Sequence, residues 1–220
     1  MGFSVYLICI LLGSITCAGV FFLRDLQSKS SSYKLLFALL LTVLVFEYVA
    51  NYLVESHHLP NLVVYNVFFV YLETIFIVLY FYRLMTRKGK RRIRIGLIGF
   101  IVVGLINSLY FQDIMDKFQN ISFAVAVLLI LSCCIWFFFD IFRLKRYQNV
   151  NILSVPEFWI TTSILFFYSS GFVYFMPIPY FDTMEMQLLE LLGNVNRFLA
   201  GLMYLIFGFA FYAPLIFKNE

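Results

Sequence analysis

Charge is scarce in this 220-residue chain: 13% of its side chains are charged and 63% are hydrophobic, where ordinary soluble domains carry about 25% and about 45–50%. With a mean hydropathy of +0.91, that balance excludes a soluble domain, a disordered segment and a coiled coil. Histidine is nearly missing. The only two, His57 and His58, are adjacent beside Glu55, so they cannot share a helix face as the zinc-binding H-E-x-x-H pattern requires, and they read as a solvated pair in a connector. The four cysteines, Cys9, Cys17, Cys133 and Cys134, lack C-x-x-C spacing, which excludes a zinc ribbon and a disulfide framework. No lysine falls inside an apolar run, so a retinal has no attachment point. Neither G-x-S-x-G nor a phosphate-binding glycine loop occurs, which leaves nucleophilic catalysis and nucleotide use without positive evidence. The expectation is a protein with no cofactor, no metal and no nucleic-acid partner.

What the chain does have is 28 Phe, 15 Tyr and seven long apolar runs. Crossing a hydrocarbon layer of about 30 Å takes about 20 apolar residues, and with no water to satisfy open backbone groups each span must be a helix. The runs are continuous, as in LLFALLLTVLVF, without the alternation of a lipid-facing strand. The reading is therefore all-α: a polytopic seven-transmembrane-helix bundle in one domain over 1–220, with helices at about 3–23, 34–55, 61–82, 94–111, 119–140, 156–176 and 188–216. The first run has no basic residue before it and no small-x-small site after it, and is expected to be a retained helix. Ser154 and Glu157 fit a capping box for the sixth helix, with Pro156 in its first turn.

Connectors 24–34, 83–94 and 141–155 contain thirteen Lys and Arg, whereas the opposite ones contain only Lys117. By the positive-inside rule the N-terminus is outside and the C-terminus cytoplasmic, in a multi-pass membrane protein. The densest stretch, Arg83, Arg87, Lys88, Lys90, Arg91, Arg92 and Arg94, reads as a cytoplasmic basic loop. Besides the bilayer itself, its expected partner is an anionic lipid, at about 1 kcal/mol per basic residue near the surface, or an acidic signalling protein.

Charge inside the hydrocarbon costs at least about 2.5 kcal/mol per residue on insertion scales. Glu47, Glu73 and Arg197 sit at depths of roughly 14, 18 and 14 Å at helical rise, so they are expected to meet in one layer. Asn66, Glu73 and Tyr80 repeat every seven residues; Asn194, Arg197, Gly201, Tyr204 and Gly208 share another face. Glu47, Tyr48 and Asn51 extend the set, and Asn107 reaches toward it. These spacings predict an outward-biased polar cavity of Glu47, Asn51, Asn66, Glu73, Asn194, Arg197 and Tyr204, centred on an Arg197–carboxylate pair, for a ligand or ion. No residue is assigned a catalytic role. Such a cavity suits a sensor or receptor-like module; the alternatives are a small transporter or proton-coupled permease, or an intramembrane lipid- or isoprenoid-modifying enzyme.

Three stretches carry a resemblance: YNVFFVYLETIFIVLYFYRLM around Glu73, PEFWITTSILFFYSSGFVYF opening the sixth helix and NRFLAGLMYLIFGFAFY in the seventh. Through them the chain resembles a family of small uncharacterised seven-helix inner-membrane proteins of Bacteroidetes-type bacteria. The resemblance implies fold and location, with Glu73, Pro156, Trp159 and Asn196 at family positions. A weaker likeness to the seven-helix lycopene cyclases fails at the third helix, where Glu73-Thr74 stands in place of two adjacent acids.

Overall fold

The computed structural model describes residues 3–22, 32–57, 61–143, 150–178 and 184–217, and these are helical with no strand among them. Seven helices are long and apolar enough to cross a membrane, which makes the chain a multi-pass membrane protein. They are α1 (Phe3–Gly19, prolonged by a 3-10 turn Val20–Phe22), α2 (Tyr33–His57), α3 (Leu62–Leu84), α4 (Arg87–Phe111), α5 (Asn120–Arg143), α6 (Pro156–Phe175) and α7 (Met186–Ile216). Expected and observed spans agree to within a few residues, save at α4.

That helix begins at Arg87 rather than at 94, so the expected basic loop is a corner. Arg83 ends α3, Met85 and Thr86 are extended, and Arg87 to Arg94 form the first two turns of α4. Hydropathy marks where a helix enters lipid, not where it starts winding, and Lys and Arg are good helix formers. Cations at a helix start oppose its dipole, and here aromatic rings offset that. The Arg92 guanidinium lies 4.3 Å from the centre of Trp136 in α5, Lys90 lies 5.5 Å from that of Tyr82, and Arg94 Nη2 donates to the Tyr82 hydroxyl at 3.0 Å. Arg24, Lys29, Lys145, Arg146, Asp182, Lys218 and His58 lie outside the described residues.

Successive helices run in opposite directions and close a ring in which α7 packs on α1 and α6, α2 on α1 and α3, and α5 on α3, α4 and α6. Apolar burial cannot drive this in lipid, so close backbone approach has to. At the α1–α7 seam a Cβ on Gly13 would run into the Tyr204 carbonyl, and one on Gly208 into the backbone of Gly13. Two hydroxyls fasten the far end of α1, one from α2 and one from the end of α7. Tyr33 donates to the Cys17 carbonyl at 2.5 Å and Tyr212 to that of Thr16 at 2.9 Å, supplying donors where α1 runs out of its own.

The capping box of α6 does not form. Ser154 belongs to a preceding 3-10 turn, capped by Asn151 Oδ1 accepting from the Leu153 amide, and its hydroxyl returns to the Asn151 carbonyl at 2.6 Å. Val155 is extended, as a residue before proline prefers, and Pro156 opens the helix as expected.

Candidate functional site

The third helix is not uniformly α-helical. From Asn66 to Glu73 it winds as a π-helix before returning to α at Thr74. Bonds from i to i+5 give about 4.4 residues per turn, so seven steps turn the chain to nearly the opposite side, where α winding would return it to the same face. Asn66 and Glu73 therefore part company. The Asn66 side chain is fully buried and donates to the carbonyls of Ile114 and Lys117 at 2.9 and 2.8 Å, while its Oδ1 accepts from the Gln119 amide at 3.1 Å. It clasps the α4–α5 connector and lies outside the cavity it was expected to join.

Glu73 faces the other way, into a cavity of about 400 Å³ between α1, α2, α3, α6 and α7. The lining residues lie toward the start of α1, the end of α2, the start of α3, the end of α6 and the start of α7. All of these are at one end of the bundle, opposite the basic corner. Beyond Glu73 the interior is closed by Ile77, Phe81, Phe137, Phe207 and Phe211, all buried.

Of the expected cavity residues, Glu47, Glu73, Arg197 and Tyr204 line this space; Asn51 and Asn194, both half-buried, do not, and Tyr48 is 71% exposed on the outer face of α2. The expected ion pair is not made. Arg197 is exposed on the cavity wall and reaches neither carboxylate within 4.0 Å among the described residues. Side chains on a helix lean toward its N-terminus, which in α7 is the open end, so the long guanidinium stem climbs away from Glu73.

Phenols take its place. Tyr6 donates to Glu47 Oε1 at 2.9 Å and Tyr65 to Oε2 at 3.3 Å; Tyr204 and Tyr168 both donate to Glu73 Oε1, at 3.0 and 3.3 Å. The Tyr6 and Tyr204 rings, 6.3 Å apart, bring the two acids side by side. Glu73 Oε2 receives no such bond among the described residues, and the residue as a whole is 5% exposed, at the cavity's inner end. Asn196 also lines the space, and its buried Oδ1 accepts nothing among the described residues. Seven phenylalanines, Phe46, Phe68, Phe69, Phe76, Phe118, Phe167 and Phe175, supply much of the remaining wall, beside aliphatic residues such as Leu39, Val43, Val64 and Leu72.

Sequence reasoning found both acids but missed Tyr6, Tyr65 and Tyr168. Fifteen tyrosines are spread through the chain, and no fixed spacing ties a phenol on one helix to an acid on another. Asn107, expected near the cavity, belongs to a separate network. Its amide donates to Gln112, Gln119 and Ser122 at 2.9, 2.8 and 2.9 Å, and the Tyr71 hydroxyl joins Ser108, Gln119 and Ser122. This is glue between α3, α4 and α5. The described residues hold no group of three potential metal ligands. Compared with protein-family models, with curated proteins and with solved structures, the chain matches none.

Proposed function

We propose that this chain is a receptor-like membrane protein in which a small molecule enters the cavity around Glu47 and Glu73 and the bundle reports its presence at the basic corner. The observation that carries this reading is a cavity open toward one end and closed at the other. A concave, mostly apolar space with a few convergent polar groups is the usual form of a ligand site. A permease would need a path past Phe81, Phe207 and Phe211, which are buried in tight packing, so the closed floor favours detection over passage.

By the positive-inside rule the cavity faces outward and Arg83 to Arg94 face the cytoplasm of a bacterial cell, where they meet anionic lipid or an acidic partner. Binding shifts α2, α3 and α7 against one another, and α3 passes the movement directly to the corner it shares with α4.

The test is a thermal-stability screen of the detergent-solubilised protein against a broad small-molecule panel, run beside Thr42→Phe, which fills the cavity from α2. Compounds that stabilise the native protein and lose their effect in the filled variant support the reading. Identical responses in both, or no response to any compound, overturn it. Orientation is checked separately by alkaline phosphatase fusions, expected to be active in the 112–117 connector and inactive within 87–94.

A further inference from the structure

The cavity's unused polar groups describe the molecule that would complete it. Tyr6, Tyr65, Tyr168 and Tyr204 have each spent their one hydroxyl proton on a carboxylate, and a phenol has no second proton to give. The inner end thus offers acceptors. Chief among them is Glu73 Oε2, which receives no donor among the described residues, in a lining that Glu73 shares with Phe46, Phe68, Phe76 and Phe167. Aromatic faces around a carboxylate favour an organic cation, because the negative ring faces attract it and the carboxylate accepts its N–H. An anionic or wholly apolar group there would leave the acceptor without a donor, and a neutral donor would forgo the attraction of the ring faces for a cation.

The outer end offers the reverse. Arg197 is exposed on the wall and free of both carboxylates, so its fork of N–H donors is open to an anion. On α7 it precedes Tyr204, which touches Glu73, by two turns, or about 10 Å of rise. A space of about 400 Å³ is near the small end of ligand pockets, about 300–1,000 Å³, and suits a body of about one ring.

From this we infer that the ligand is a small organic zwitterion, its ammonium seated on Glu73 Oε2 among the phenylalanine faces and its anionic end directed to Arg197. The inference rests on the cavity being a binding site, as proposed above, and adds the class of occupant.

Three probes separate its parts, titrated calorimetrically into the full chain in detergent: 4-(2-aminoethyl)benzoate with both charges, 2-phenylethylammonium with the cation alone and 3-phenylpropionate with the anion alone. The zwitterion is expected to bind at least tenfold more tightly than the amine, and the propionate not measurably. Arg197→Gln, at an exposed position, should erase the tenfold advantage without weakening the amine. Phe76→Leu should weaken both amines several-fold, and Glu73→Gln should abolish binding of both. If 3-phenylpropionate binds as tightly as the amines, or if Arg197→Gln and Phe76→Leu both leave the zwitterion's affinity unaltered, the assignment is overturned. If no probe binds while the broad screen yields cavity-dependent compounds of other chemistry, the zwitterion falls and the binding site stands. Failure of both removes the site itself.

Discussion

Each of the two cavity acids, Glu47 and Glu73, is held by two phenols, and that choice has an energetic consequence. A hydrogen bond to a charged group contributes about 1.5–3 kcal/mol net, against about 1 for a neutral pair, and a hydroxyl partner adds no charge of its own to the hydrocarbon layer. Tyr204→Phe removes the shorter of the two bonds to Glu73, at 3.0 Å, and is expected to lower unfolding free energy in detergent by about 1–3 kcal/mol. Tyr110→Phe, at a residue 80% exposed, should change it by less than about 0.5 kcal/mol. Asn66 is held at least as firmly. Its amide satisfies two carbonyls and one amide of the α4–α5 connector, so Asn66→Leu leaves buried groups unpaired. A loss of about 2–3 kcal/mol is expected, with proteolytic cleavage appearing within 112–119, measured by limited digestion of the solubilised protein.

At the level of helices, contact between backbones replaces apolar burial as the source of cohesion, and the glycines show where. Gly208→Ala forces a methyl group into the backbone of Gly13, whereas a methyl on Gly99 meets nothing within 4 Å. The first should cost about 1–3 kcal/mol by overpacking. The second should be neutral or should stabilise by about 0.5–1 kcal/mol through helix propensity, both read from detergent-unfolding curves. The same contrast explains what could be read from the chain alone. Spans were legible because transfer into lipid depends on composition over some twenty residues. Glu47 and Glu73 were legible as cavity residues because a charge in that setting has to turn inward. The fate of Asn66 was not, since the seven-residue repeat assumes α winding and nothing in NVFFVYLE announces a π segment. Nor was the separation of Arg197 from the acids. Depth along two helices does not determine where a long side chain points, and the Arg197 stem leans toward the start of α7, away from Glu73.

Across the whole molecule, the π segment joins the two ends that the proposed function connects. Its cavity face carries Phe68, Phe69 and Glu73, its other side carries the Asn66 clasp, and the α continuation runs without a break to Tyr82 and Arg83 at the basic corner. A π turn holds one residue more than an α turn would need, so a small rewinding toward α rotates everything that follows it. Rewinding by one residue would swing Tyr82 about 100° around α3, which breaks its 3.0 Å bond from Arg94 and withdraws the ring from Lys90. Cavity occupancy that draws on Glu73 is therefore expected to reach α4 through α3. Spin labels at Thr86 and Leu153, both exposed, should show a change in distance of a few ångströms when a cavity ligand saturates the protein in nanodiscs. Tyr82→Phe should broaden the same distribution without ligand, because it removes the Arg94 latch from the unliganded state. A distribution that ignores both the ligand and Tyr82→Phe would mean that α3 is a rigid strut, and the basic corner then would serve only to anchor the bundle in the membrane.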